Sequence, residues 1–170
     1  MQEISRDIPK SEQEFKITPT KLFERYSDMV WRLALARVGR EASADDVLQE
    51  VFLRVVKLNP TFKNTEHAKA WLIKVTINCS KKLLGSAFRR HQASFEENIA
   101  FETTEERDVY FAVQALNPKY KTVVHLYYYE GLKVDEIAKI LQISPSAVKQ
   151  RLSRARQELK QYMIGDEDIV

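Results

Sequence analysis

The residues best placed to do chemistry sit near the C-terminus. Between positions 144 and 160 there are five basic residues and one acid, and Ser146, Lys149, Gln150, Ser153 and Arg154 recur at three- and four-residue spacing. On a helix this spacing puts all five on one face. Such a face offers hydrogen-bond donors of the kind that match acceptors on DNA base edges in the major groove, while Arg151 and Arg156 suit the phosphates beside it. A second set, Asp46, Gln49, Glu50 and Leu53, has the same spacing but is mainly acidic, so it repels DNA and suits either plain solvation or a basic protein partner. A third, Lys74, Asn78 and Lys81 with Lys82, forms a stripe that fits a nucleic-acid backbone or water equally well. Just before it, Phe62, Lys63 and Asn64 suit stacking on, and hydrogen bonding to, an unpaired base, although Phe62 fits a core position as readily.

All of this is recognition chemistry, not bond-making. Cys79 is the only cysteine, and His67, His91 and His125 lack metal-ligand spacing. No phosphate loop and no Ser/His or Cys/His arrangement is present, so no enzyme, metal or cofactor is expected.

Helices must carry these faces. Four glycines and five prolines among 170 residues leave little turn chemistry for a β fold, and the expected class is all-α. A first helix is expected after Pro19, capped by Thr18, with Leu22, Phe23, Tyr26, Val30, Leu33, Ala34 and Val38 as its apolar stripe and Gly39 as its stop. A second should span about 44–58, with Ser43 and Asp46 as a capping box and Val47, Leu48, Val51, Phe52, Val55 and Val56 turned inward. A third carries Trp71, Leu72, Val75, Cys79 and Leu83 on its core face.

Four more helices are expected, at Glu105–Leu116, Pro118–Glu130, Val134–Leu141 and from Pro145 to about Tyr162. The last two, joined by about four residues, have the form of a helix-turn-helix, with Val134, Ile137, Ala138, Leu141 and Ile143 packing on Val148, Leu152, Ala155 and Leu159. Gln142 stands in the turn where a positive φ is often needed; if left-handed, it loses roughly 1 kcal/mol relative to Gly.

The net charge of +3 conceals an uneven distribution: +6 over 1–90, −5 over 91–110, +5 over 111–160 and −3 over 161–170. With the loss of helical periodicity after Gly85, this divides the chain into a mobile tail (1–17), a helical bundle (18–86), a flexible acidic linker (87–104), a four-helix helix-turn-helix domain (105–162) and an acidic tail (163–170). The N-terminus lacks an apolar targeting segment, and no run approaches the roughly 18 apolar residues of a membrane span, so a cytoplasmic location is expected.

Three blocks, ADDVLQEVFLRVVK, FKNTEHAKAWLIKVTINCSKK and LNPKYKTVVHLYYYEGLKVDEIAKILQISPSAVKQRLSRARQELK, resemble in order and spacing the extracytoplasmic-function (ECF) group of the sigma-70 family. The resemblance spans about Thr20 to Lys160. It implies a monomeric transcription initiation factor that acts with RNA polymerase core. Asp46, Gln49, Glu50 and Leu53 would meet the clamp helices of the β′ subunit, and Phe62, Lys63, Asn64, Lys74, Asn78 and Lys81 would meet the −10 promoter element. Ser146, Lys149, Gln150, Arg151, Ser153, Arg154 and Arg156 would meet the −35 element, with the C-terminal domain on the β flap.

The resemblance further implies an anti-sigma partner, often membrane-anchored and released on a stress or envelope signal. It also suggests that the acidic linker, including Glu96, Glu97 and Glu102, occupies the RNA exit channel. The second block departs from the family pattern, with Ile73 in place of an aromatic and Lys82 and Gly85 in place of Asp and Arg. Without the resemblance, a free-standing helix-turn-helix regulator that dimerises on duplex DNA would fit the last block alone.

Overall fold

The computed structural model describes residues 15–88 and 100–164. Positions 1–14, 89–99 and 165–170 lie outside the described residues, and with them most of the expected N-terminal tail, linker and acidic C-terminus, including Glu96 and Glu97. The architecture is all-α: α1 (Pro19–Val38), α2 (Glu41–Leu58), α3 (Thr65–Phe88), α4 (Thr104–Ala115), α5 (Pro118–Val124), a π turn (His125–Tyr129), α6 (Val134–Leu141) and α7 (Pro145–Ile164). Among the described residues the only β pairing is an isolated bridge between Phe15 and Phe62. None of their helices is long and apolar enough to cross a membrane.

The first helix begins and ends where its sequence signals stand. The Thr18 side chain accepts from Lys21 N at 3.3 Å, Pro19 opens the helix, and Gly39 closes it at φ 72°. The second starts earlier than expected, at Glu41, after Arg40 in an extended conformation. Ser43 and Asp46 therefore lie within the helix and form no capping box. Neighbouring Asp45 instead accepts a 2.8 Å hydrogen bond from Trp31 Nε1, tying α2 to α1. Val56, expected inside, is 63% exposed, because the stripe facing α1 and α3 is the narrower one of Val47, Val51 and Val55.

The long α3 continues through Gly85 to Phe88. Its buried Thr76 and Ser80 hydroxyls donate back to Leu72 O and Thr76 O, both at 2.7 Å, which satisfies polar groups on a core face. The expected single helix from Pro118 to Glu130 proves to be α5 followed by the π turn, in which Glu130 N donates to His125 O at 3.1 Å.

Helices α1–α3 pack as a three-helix bundle, and α5, α6 and α4 pack around α7. The two units meet along a seam, α1 on α5 and α3 on α6, so buried apolar residues from Leu22 to Ala155 form one connected core. The seam is not purely apolar. Lys69 of α3 pairs with Glu130 at 3.4 Å, and the Glu130 carboxylate also lies 3.5 Å from His125 Nε2. The neighbouring His125 ring first, and then the Lys69 charge, hold that carboxyl below its ordinary range despite partial burial.

Candidate nucleic-acid and polymerase interface

The helix-turn-helix is built by its turn. Gln142 adopts φ 55°, ψ 45°, the left-handed conformation considered from sequence, and Ile143 N donates to Ala138 O at 3.1 Å, satisfying a carbonyl at the end of α6. Ser144 Oγ then accepts from Ala147 N at 3.1 Å to start α7 behind Pro145. Ile137 and Ala138 are buried, as are Val148, Leu152 and Ala155 on the inner side of α7. That packing leaves Ser146, Lys149, Gln150, Ser153 and Arg154 all exposed on one outward face.

The two remaining arginines of α7 are held differently. Arg156 is exposed, but its Nε donates to Tyr128 Oη at 2.8 Å and the guanidinium lies 5.7 Å from that ring's centre. Arg151 is half-buried and lines a cavity at the seam, away from the outward face.

On α2, Asp46, Gln49 and Leu53 are exposed, Leu53 by 53%. Glu50 is half-buried and accepts from Arg54 Nε at 2.9 Å, and this bond is the main reason its carboxyl lies below the ordinary range. Exposed Val56 and Leu58 continue beyond Leu53 on the same helix. Across on α1, Phe23 is exposed and meets Phe52 edge-to-face at 4.9 Å. The face is therefore acidic at one end and apolar at the other, a protein-docking composition. Its apolar half was hidden in the sequence because Val56 reads as core by spacing.

Lys74, Asn78, Lys81 and Lys82 are exposed along α3, as the spacing suggests. In the preceding loop, Phe62 is only 5% exposed, packed against Trp71 at 5.7 Å and His67 at 5.5 Å between ring centres. In this conformation the core position open to Phe62 from sequence is the one it takes. Lys63 and Asn64 are exposed beside it, and Asn64 Oδ1 accepts from His67 N at 2.8 Å, capping α3.

One constellation at the seam escapes sequence reasoning. Arg37, 5% exposed, donates from Nη1 to the Thr122 hydroxyl, while buried Lys121 donates from Nζ to Gln114 Oε1 at 3.2 Å. Burial lowers Arg37 to about 10; burial and then the Arg37 charge lower Lys121 to about 8. The one signal available was Arg37 itself, set between Ala34 and Val38 on an otherwise apolar stripe.

Comparison with known proteins agrees with this architecture. Similar proteins include the ECF RNA polymerase sigma factor BldN of Streptomyces coelicolor, 29% identical over 159 residues that cover 86% of this chain and 60% of that one. The RNA polymerase sigma factor SigV of Bacillus subtilis is 28% identical over 145 residues, covering 82% and 86%. The chain thus spans less than two thirds of the first relative's length and most of the second's. Among solved structures, the sigma factor RpoE in complex with the anti-sigma factor NepR from Bartonella quintana shares the fold, with a TM-score of 0.72 at 16% identity over 85% of this chain and 95% of that one. Residues 22–92 match the model of sigma-70 region 2 and residues 106–159 that of sigma-70 region 4. With both regions present in order over most of its length, the chain belongs to the sigma-70 family.

Proposed function

We propose that this chain is an alternative, ECF-type sigma factor, a promoter-specificity subunit that binds RNA polymerase core and has no catalytic activity of its own. One observation carries the reading: a mixed acidic and apolar face on α2 and a separate basic face on α7 are exposed on different units of one chain. A DNA reader acting alone has no use for the first. Asp46, Gln49, Glu50 and Leu53, with Val56 and Leu58 added, dock on the β′ clamp helices. Lys63, Asn64, Lys74, Asn78 and Lys81 contact the −10 element; Phe62 reaches a base only if the loop opens. Ser146, Lys149, Gln150, Ser153 and Arg154 read the −35 element, where Arg156 holds phosphate and Arg151, turned into the seam, does so only if the two units part, and the second unit rests on the β flap.

In this reading the working divisions are 18–86 and 105–162, joined by the linker 87–104 and flanked by tails at 1–17 and 163–170. The free protein is a cytoplasmic monomer. The RpoE relative is captured with an anti-sigma factor, and a partner of that kind is proposed here as the inhibitor released on a stress or envelope signal.

The deciding experiment is co-elution of the purified chain with polymerase core on a sizing column. The wild type is expected to co-elute and the Gln49→Ala/Glu50→Ala double variant to lose association while remaining folded. A dimer that ignores core and binds duplex DNA unaided would establish a free-standing regulator instead.

A further inference from the structure

At the seam between the two units lies a half-open cavity of about 340 Å³ lined by basic residues of four elements: Arg37 of α1, Lys81 of α3, Lys119 of α5 and Arg151 of α7. Among the described residues that line it none carries a carboxylate. The Arg37 side chain is buried, its Nε has no hydrogen-bond partner, and among the described residues it forms no ion pair. Behind it, Lys121 adds a second buried cation that likewise lacks an acidic partner among the described residues. An uncompensated buried charge is strongly unfavourable, so an anion that reached this one would be bound with the relief of that penalty. The volume falls in the range of small-ligand sites. Four basic residues around one cavity carry more charge than a single carboxylate neutralises, and Arg with Lys is the usual donor set for phosphate oxygens.

We propose that this cavity binds a triphosphate-type anion, free or carried by a nucleotide, which bridges the two units and holds them closed. Binding in the cavity does not depend on the promoter-recognition reading. Its consequence does: Lys81 and Arg151, assigned above to promoter DNA, cannot serve DNA and this anion together, so the ligand and promoter compete.

The test is calorimetric titration of the full chain with sodium triphosphate, and separately with ATP and GTP without magnesium, at constant ionic strength set by sodium chloride. Saturable one-to-one binding to triphosphate is expected, together with a rise in Tm that chloride at the same ionic strength does not reproduce. The Arg37→Gln variant should bind at least tenfold more weakly. Because Arg37 is buried, Lys119→Gln, on an exposed residue, provides the second reading and should weaken binding several-fold. Lys57→Gln, remote on α2, should leave it unchanged. Nucleotide binding tighter than that of triphosphate assigns the cavity's apolar wall to the base; equal binding assigns the free anion. No saturable binding at millimolar triphosphate, nucleotide binding without triphosphate binding, or wild-type affinity in Lys119→Gln would overturn the proposal. None of these readings involves polymerase, so failure here leaves the co-elution result standing, and the reverse.

Discussion

Replacing Lys121 by Met should stabilise the protein at neutral pH, an unusual outcome for the loss of a hydrogen-bonded buried residue. The ammonium lies against Arg37, with Arg32 on α1, His125 and Tyr129 in the π turn and Glu105 and Glu106 on α4 lining the adjoining groove. Its pKa falls from 10.5 to about 8. At 1.36 kcal/mol per unit, the charged form is disfavoured in the folded chain by about 3 kcal/mol. Met keeps the apolar stem and removes that penalty, but loses the bond to Gln114 Oε1, about 1 kcal/mol, and leaves the amide oxygen unpaired.

The expected net gain is about 1–2 kcal/mol, or about 2–8 °C in Tm for a chain of this size. The sign with pH comes from the lowered folded pKa. The penalty is fully present below about pH 8, fades as the lysine deprotonates between 8 and 10.5, and is absent above. Between pH 7 and 9 the wild type should recover about 1.3 kcal/mol relative to the variant. The difference between the two proteins cancels the titration of most neighbouring groups. The assay is urea unfolding of both at pH 7, 8 and 9. A variant less stable than wild type at pH 7, or a gap that does not narrow by pH 9, would refute the account of Lys121 as an uncompensated cation.

Other expectations rest on single contacts. Gln142→Gly should raise stability by up to about 1 kcal/mol, seen as a higher Tm, because the left-handed turn position then suffers no Cβ strain. Glu130→Gln should destabilise the chain at pH 7; since the folded carboxyl titrates low, the difference should vanish as pH falls through that pKa, measurable by thermal unfolding across pH 3–7. Arg154→Ala should weaken −35 binding by the polymerase complex and reduce its salt dependence by about one counterion, measured by promoter binding over a salt series. Trp31→Phe should lower stability by about 1 kcal/mol through loss of the bond to Asp45, read as a lower urea midpoint.

How much could be read from sequence depended on whether a signal was local. Thr18, Pro19 and Gly39, or Ser144 and Pro145, act through hydrogen bonds and φ restrictions within a turn of their own positions, so those helix boundaries were legible. The outward face of α7 was legible for the same reason, because three-four periodicity on a half-buried helix is a property of that helix alone. Val56 and Phe62 were less determined. Each is apolar at plausible spacing, and only the placement of the neighbouring helices leaves one exposed and buries the other. Of the seam only the odd Arg37 on an apolar stripe was legible, not its partner, since Arg37 and Thr122 stand 85 residues apart and neither signals the other.

The π turn at His125–Tyr129 bears on how this chain tolerates change in length. A π turn accommodates one more residue than an α-helical turn, so it behaves as a single-residue insertion absorbed locally without displacing the downstream helices. Here the absorbed residue lets α5 keep its place on α1 while Glu130 reaches Lys69 and Leu132 N still returns to Leu126 O at 3.0 Å. Deleting one of the three consecutive tyrosines would restore a regular helical turn and, because the extra residue is taken up within the π turn, leave the helices after it in place. The helix-turn-helix would keep its docking on the first unit, and the loss would be confined to local contacts such as the Arg156 bond to Tyr128 and the stacking of His125 on Tyr129. The segment 127–129 therefore acts as the chain's length adjuster, and a one-residue deletion there should leave the two units docked, whereas the same deletion within α6, which has no π turn to take up the change, should not.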